Sequence, residues 1–156
     1  NLAGAHLAGA NLAGAYLAGA YLAGADFAGA DLAGASGYNP NLSDDLRILL
    51  DQPGKVRAYK LVKSNGEGPF NGGIVYKVGK SYAVPDADVD ETNGCAAGIN
   101  VASLPWCLRE WRQGFRILVV EFQAKDIAAI PRGTDGKFRV RRCRVVAEKN
   151  LAELGI

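Results

Sequence analysis

Along the first part of the chain one large apolar residue falls at every fifth position: Leu2, Leu7, Leu12, Leu17, Leu22, Phe27 and Leu32. Ala-Gly-Ala follows each one, and then a variable polar or aromatic residue: His6, Asn11, Tyr16, Tyr21, Asp26, Asp31. Leu42, preceded by Asn41, is still in phase after one degenerate unit at Gly37. Period five suits neither common element. On a helix five residues advance by roughly 500°, so each Leu is rotated by roughly 140° from the last and no face forms. A Gly in every unit also costs a helix about 1 kcal/mol each relative to Ala. On a flat strand an odd period sends every second Leu to the opposite side. The pattern instead predicts a chain that turns a corner once per unit and points Leu7, Leu12, Leu17, Leu22, Phe27 and Leu32 inward, with Gly at the corner.

Beyond this segment the pattern changes. Ser43 is expected to cap a short helix over Asp44–Gln52, stopped by Pro53-Gly54, with Leu46, Leu49 and Leu50 covering the end of the repeat. Val56–Lys63 alternates as a strand does. Ser64–Gly73 reads as a loop, and Ile74–Val78 with Ser81–Val84 as a hairpin about Gly79-Lys80. Pro85–Gly98 is an acidic loop and Ile99–Ala102 a brief strand. Ser103 caps a helix that Gly114 ends, with Leu104, Cys107, Leu108 and Trp111 on one face. Phe115–Phe122 is the clearest strand, Asp126–Ile130 a short element, and Lys137–Ala147 one long basic strand before a helical tail. Strands outnumber helices, which predicts a small α+β domain with a mixed or antiparallel sheet.

Composition sharpens the division. The 156 residues carry a net charge of +2, unevenly spread. Residues 1–35 contain 14 Ala and 7 Gly and no Lys or Arg, whereas from Pro53 onward 17 Lys+Arg stand against 11 Asp+Glu. The expected units are a repeat segment (1–42), a capping helix and linker (43–54) and an α+β domain (55–156). No apolar run approaches membrane-span length, and no signal peptide is visible. The chain contains no Met, so Asn1 is expected to be an internal position of a longer parent. Three Cys and one His suit neither a disulfide framework nor a zinc site.

Ala10-Asn11-Leu12, Ala25-Asp26-Phe27 and Ala30-Asp31-Leu32 resemble the unit of the pentapeptide-repeat family, Ala–Asp/Asn–Leu/Phe–x–x. That resemblance implies a right-handed quadrilateral β-helix in which four units make one coil. Seven units fall short of two coils, so the segment is expected to continue upstream, to pack on a partner, or both. A second set of residues, Ala58-Tyr59-Lys60, Gly79-Lys80-Ser81-Tyr82, Cys95, Gly98-Ile99-Asn100-Val101-Ala102, Trp106-Cys107 and Val120-Glu121-Phe122, looks like an uncharacterised domain of phage and bacterial proteins. Asn100 stands where many of those relatives carry His.

Candidate chemistry is sparse. Lys137, Arg139, Arg141, Arg142 and Arg144 form a basic stripe if a bulge lies near Arg141-Arg142. It reads either as a phosphate or nucleic-acid contact or as an edge strand protected by charge. Asp86, Asp88, Asp90 and Glu91 miss the Gly and the final Glu of a Ca²⁺ loop and read as a solvated acidic loop. Cys95 and Cys107 have no His in this domain to activate them and read as buried thiols. Arg57, Tyr82 and Glu121 are loosely similar to the site of ADP-ribosyltransferases. Tyr16 and Tyr21 occupy positions that are polar in the family unit, which predicts an intermolecular interface. The expectation is a mainly β, non-enzymatic structural or interaction protein without cofactor or metal, in a virion, phage assembly or host cytoplasm. It self-associates or binds protein partners and does not cross a membrane. A DNA-mimicking regulator of a topoisomerase and an ADP-ribosyltransferase-like enzyme are the alternatives.

Overall fold

The computed structural model describes residues 1–22, 25–27, 29–37 and 45–156. In the repeat segment each unit closes a tight turn. The amide of Ala5 donates to the Leu2 carbonyl at 3.0 Å, and the same bond recurs at Ala10, Ala15 and Ala20. Gly4, Gly9, Gly14 and Gly19 hold φ between 68° and 73°. That is the third position of a type II turn, where a side chain is disfavoured. These turns are the corners that period five requires. Between them the backbone pairs in parallel at an offset of 20 residues: His6 with Asp26, Asn11 with Asp31, Tyr16 with Ser36. The amides of Leu2, Leu7, Leu12 and Leu17 donate to the carbonyls of Tyr21, Asp26, Asp31 and Ser36. Four units therefore separate paired residues, an arrangement that fits a β-helix. Leu17, Leu22, Phe27 and Leu32 are buried, and Leu7 and Leu12 pack partly buried against them. Leu2 is 41% exposed.

The remainder is an antiparallel sheet of seven strands: β1 (Lys55–Val62), β2 (Ser81–Ala83), β3 (Ile99–Ala102), β4 (Arg116–Gln123), β5 (Ile127–Ala129), β6 (Lys137–Val140) and β7 (Arg142–Glu148), in the order β2-β7-β4-β1-β3-β6-β5. β4 reads almost continuously apolar because both of its faces are covered. Leu118, Val120 and Phe122 enter the main core with Val56, Ala58, Phe138 and Val145. Ile117 meets Trp106 and Cys107 of the helix α1 (Leu104–Glu110). Ser103 caps α1, its hydroxyl accepting from the Trp106 amide at 3.4 Å.

The long basic strand is in fact two strands. The chain leaves β6 and enters β7 through Arg141 alone, yet β3, β1 and β4 lie between them in the sheet. The sheet must curl until its flanks meet at that residue. The break answers the phase conflict at Arg141-Arg142: Phe138 and Val140 face inward before it, Cys143 and Val145 after it.

Two other expectations are corrected. The hairpin about Gly79-Lys80 does not form, because Ser81–Ala83 pairs with Arg142–Arg144 of β7 instead. Val75 makes only an isolated bridge with Glu67. The capping helix is a 3-10 helix over Asp45–Asp51, with Ser43 and Asp44 outside the described residues. Leu46 and Leu49 pack on the sheet core rather than on the repeat, and Leu50 is exposed.

The turn around Gly133 is what packs on Phe27 and Leu32 of the repeat. A Cβ at Gly133 would fall 2.8 Å from Phe27 Cβ and 3.1 Å from Leu32 Cδ1, and its φ of +66° already disfavours a side chain. Arg132 beside it donates to the Ala35 carbonyl at 2.9 Å. Gly133→Val is therefore expected to destabilise by about 2–3 kcal/mol through overpacking and backbone strain. Thermal unfolding followed by circular dichroism checks this. An unchanged transition would mean the turn does not bear on the repeat.

Candidate functional site

In β1 the inward positions are Val56, Ala58, Lys60 and Val62, and all four are buried. Alternation thus directs one lysine into the interior. Lys60 is only 6% exposed. Its Nζ donates to the Asn100 carbonyl at 2.7 Å and lies 4.4 Å from the centre of the Tyr76 ring. Among the described residues no carboxylate pairs with it. Burial pushes the Lys60 amine down to about 8, partly offset by the Cys143 and Cys107 thiols. Burial in turn pushes those thiols up, Cys107 to about 12 and Cys143 to about 11.

Lys60 lines a cleft of about 70 Å³ beneath the loop that carries Phe70 and Asn71. Asn100 of β3 forms part of its wall. The Asn100 Nδ2 donates to the Ala96 and Gly98 carbonyls, while its Oδ1 is buried without a donor. At the mouth, Lys137 Nζ lies 5.8 Å from the centre of the Trp106 ring, and Phe70 meets Trp106 edge to face at 6.4 Å. Phe70, Cys95, Trp106 and Lys137 also border a groove that reaches Gly29 and Ala30 of the repeat. The cleft therefore opens toward the junction of the two parts. Sequence reasoning missed this site, although a lysine in the inward phase of an alternating strand was a signal.

The five residues of the basic stripe are dispersed. Lys137 stands at the cleft mouth. Arg139 is fully buried and donates to the carbonyls of Asp88, Asp90 and Asn93. Arg141 donates to the Ile127 carbonyl. Of the five, only Arg142 and Arg144 on β7 are exposed. Arg142 approaches Asp126 at 3.6 Å, and Arg144 stands opposite Glu121 in register. A continuous phosphate-binding stripe is not formed.

Arg57 pairs with Glu121 at 3.6 Å across β1 and β4. The Tyr82 hydroxyl accepts from the Lys77 amide and donates to the Val75 carbonyl, which commits it to fastening that segment. Of the three residues compared with ADP-ribosyltransferases, Tyr82 and Glu121 line one pocket with Arg142 and Arg144, whereas Arg57 is not among its lining residues and touches it only through Glu121. Cys95 is exposed rather than buried, whereas Cys107 is buried. In the acidic loop Asp88 and Asp90 accept from the loop's own Asp90 and Thr92 amides. Hydrogen bonds within the loop hold both carboxyls below the usual range. Tyr16 and Tyr21 are 79% and 55% exposed. The 20-residue pairing puts Tyr16 above Ser36 and brings the Tyr21 carbonyl to the Leu2 amide, so the two tyrosines occupy neighbouring sides.

Among the described residues no helix is long and apolar enough to cross a membrane. The family model for pentapeptide repeats matches residues 1–36, with 8 copies. Neither a curated protein nor a solved structure matches the chain.

Proposed function

We propose that this chain is a non-enzymatic interaction protein. In this reading the repeats form the end of a right-handed quadrilateral β-helix, the sheet domain closes that end, and an aromatic outer face docks protein. The seating of the Gly133 turn against Phe27 and Leu32 carries the proposal. It makes the sheet domain a terminal cap, the device that stacked-repeat proteins need to keep an apolar end out of water. The parallel pairing at 20 residues and the pentapeptide match over residues 1–36 support the β-helix. The likeness of residues 56–130 to a domain of phage and bacterial proteins supports a virion or phage assembly as its setting.

Tyr16 and Tyr21 supply large contact area at low entropic cost, as aromatic anchors do at interfaces. Sedimentation of the purified chain at micromolar concentration is expected to give a self-associated species, and Tyr16→Ser/Tyr21→Ser a monomer. A wild-type monomer, unaltered by the double substitution, would remove the tyrosine face as an interface between copies.

A further inference from the structure

The cleft around Lys60 has a polarity of its own. It contains two ammonium groups, Lys60 within and Lys137 at the mouth, and among the described residues no Asp, Glu or Arg lines it. The walls between are aromatic or apolar: Tyr59, Tyr76, Phe70 and Trp106. Among the described residues the inner ammonium has one protein acceptor, the Asn100 carbonyl, and one ring face, that of Tyr76. A lysine ammonium carries three donors.

We infer that this cleft is a binding site for a small carboxylate with a flat apolar body, its carboxylate on Lys60 and its body against Trp106 and Phe70. Folding has already removed Lys60 from water and left its charge without a counter-ion among the described residues. An arriving anion therefore meets a desolvated partner, and the pair forms without the full cost of stripping the cation. A lysine acts as a point charge, which suits one carboxylate. Phosphate recognition draws on several donors and usually on a guanidinium fork, and no described arginine lines this cleft. The volume agrees with a small head group: one water needs about 10–15 Å³ by comparable measure, so 70 Å³ holds a carboxylate and a few further atoms. The ring of a larger acid would lie at the mouth between Phe70 and Trp106. Lys137 above Trp106 supplies a second, wetter charge that draws anions toward the opening.

Lys60 is still mostly protonated at neutral pH, since its amine titrates near 8. Carboxylate affinity should then be constant below that value and fall as pH rises through it.

Benzoate is the probe, with benzamide as its neutral counterpart and inorganic phosphate as the competing anion. Binding is read by Trp fluorescence and by titration calorimetry. Benzoate is expected to bind saturably, at least about tenfold more tightly than benzamide, consistent with one charge-assisted bond. Lys60→Met should abolish benzoate binding while keeping the wild-type circular dichroism spectrum. Trp106→Phe should remove the fluorescence change but leave calorimetric binding weakened only a few-fold. Tyr16→Ser/Tyr21→Ser should leave benzoate binding intact, which separates this site from the interface on the repeat. Absence of saturable benzoate binding would overturn the inference. So would equal affinity in a folded Lys60→Met variant, or phosphate displacing benzoate at lower concentration than benzoate itself requires.

Discussion

Arg139→Met is expected to destabilise the protein by about 4 kcal/mol, the largest effect of any single substitution considered. The side chain is fully buried. Its Nε donates to the Asp88 carbonyl at 3.0 Å, its Nη1 to Asn93 at 2.5 Å and its Nη2 to Asp90 at 2.7 Å. Bonds from a charged donor each contribute about 1.5–3 kcal/mol, and losing the guanidinium strips three part-buried loop carbonyls of their donor. Methionine fills part of the volume but supplies none of the three donors. The loop that Arg139 gathers also joins other elements. Glu91 pairs with Arg47 at 2.7 Å, and its carbonyl accepts from the Arg132 amide at 2.8 Å, next to the turn that covers the repeat. Loosening this loop should release the linker and the cap together. Arg139→Lys is expected to recover little, because an ammonium cannot span three carbonyls held in a fork. Differential scanning calorimetry checks this, with an expected fall in Tm on the order of 15 °C or more for a domain of this size. A fall under a few degrees for Arg139→Met would show that the loop holds itself.

The second large effect has the opposite sign. Lys60→Met is expected to stabilise the protein by about 2–3 kcal/mol near pH 7. Burial lowers the Lys60 amine from 10.5 to about 8, and every tenfold loss of proton affinity corresponds to about 1.4 kcal/mol. The unfolded chain binds the proton more tightly, so the folded state is disfavoured at neutral pH. That penalty is relieved as pH rises from about 8 to 10.5, and the advantage of the variant should shrink across the same window. Cys107 and Cys143 act the other way. Burial raises both from 9.0, so the unfolded chain gives up their protons first and stability falls as pH climbs above 9. The thiols remain in both proteins but are coupled to Lys60, so the lysine is read from the difference below about pH 9, before they ionise in the unfolded chain. Urea midpoints at pH 7, 8, 9 and 10 test this. A difference independent of pH would mean that Lys60 loses packing rather than charge on substitution. A lysine retained at such a cost is the kind of residue that binding sites use.

The repeat was legible because one error-free phase recurs seven times, and each Leu, Gly and Ala carries the same instruction. Strands β1, β3 and β4 were legible for a related reason: their alternation or continuous apolarity reflects which faces are covered. Arg139 was misread because alternation assumes that the face opposite Phe138 and Val140 meets water. In the folded chain that face lies under the acidic loop, a contact more than 40 residues distant in sequence. The missing hairpin has the same origin. Gly79-Lys80 favours a turn locally, but Lys80 and Gly79 exchange backbone bonds with Val145, and the distant strand takes the pairing. The cleft was only partly legible. Lys60 and Asn100 lie on strands whose phase can be read, but Phe70 and Cys95 come from loops whose approach depends on topology.

Pairing at an offset of 20 residues by units of five gives the repeat an angular scale as well as a length. In the proposed β-helix each unit would carry the chain a quarter of the way round before it meets the sheet domain. Removing residues 21–25 would keep the seam with Gly133 but turn every earlier side by one step, so that Tyr16 would point where Tyr21 points now. Inserting four between Tyr21 and Phe27 would lengthen the coil and leave both tyrosines on their present sides. The heading of the aromatic face relative to the sheet domain is thus indexed by unit number modulo four, and it can be reset in steps without altering a single residue at the joint.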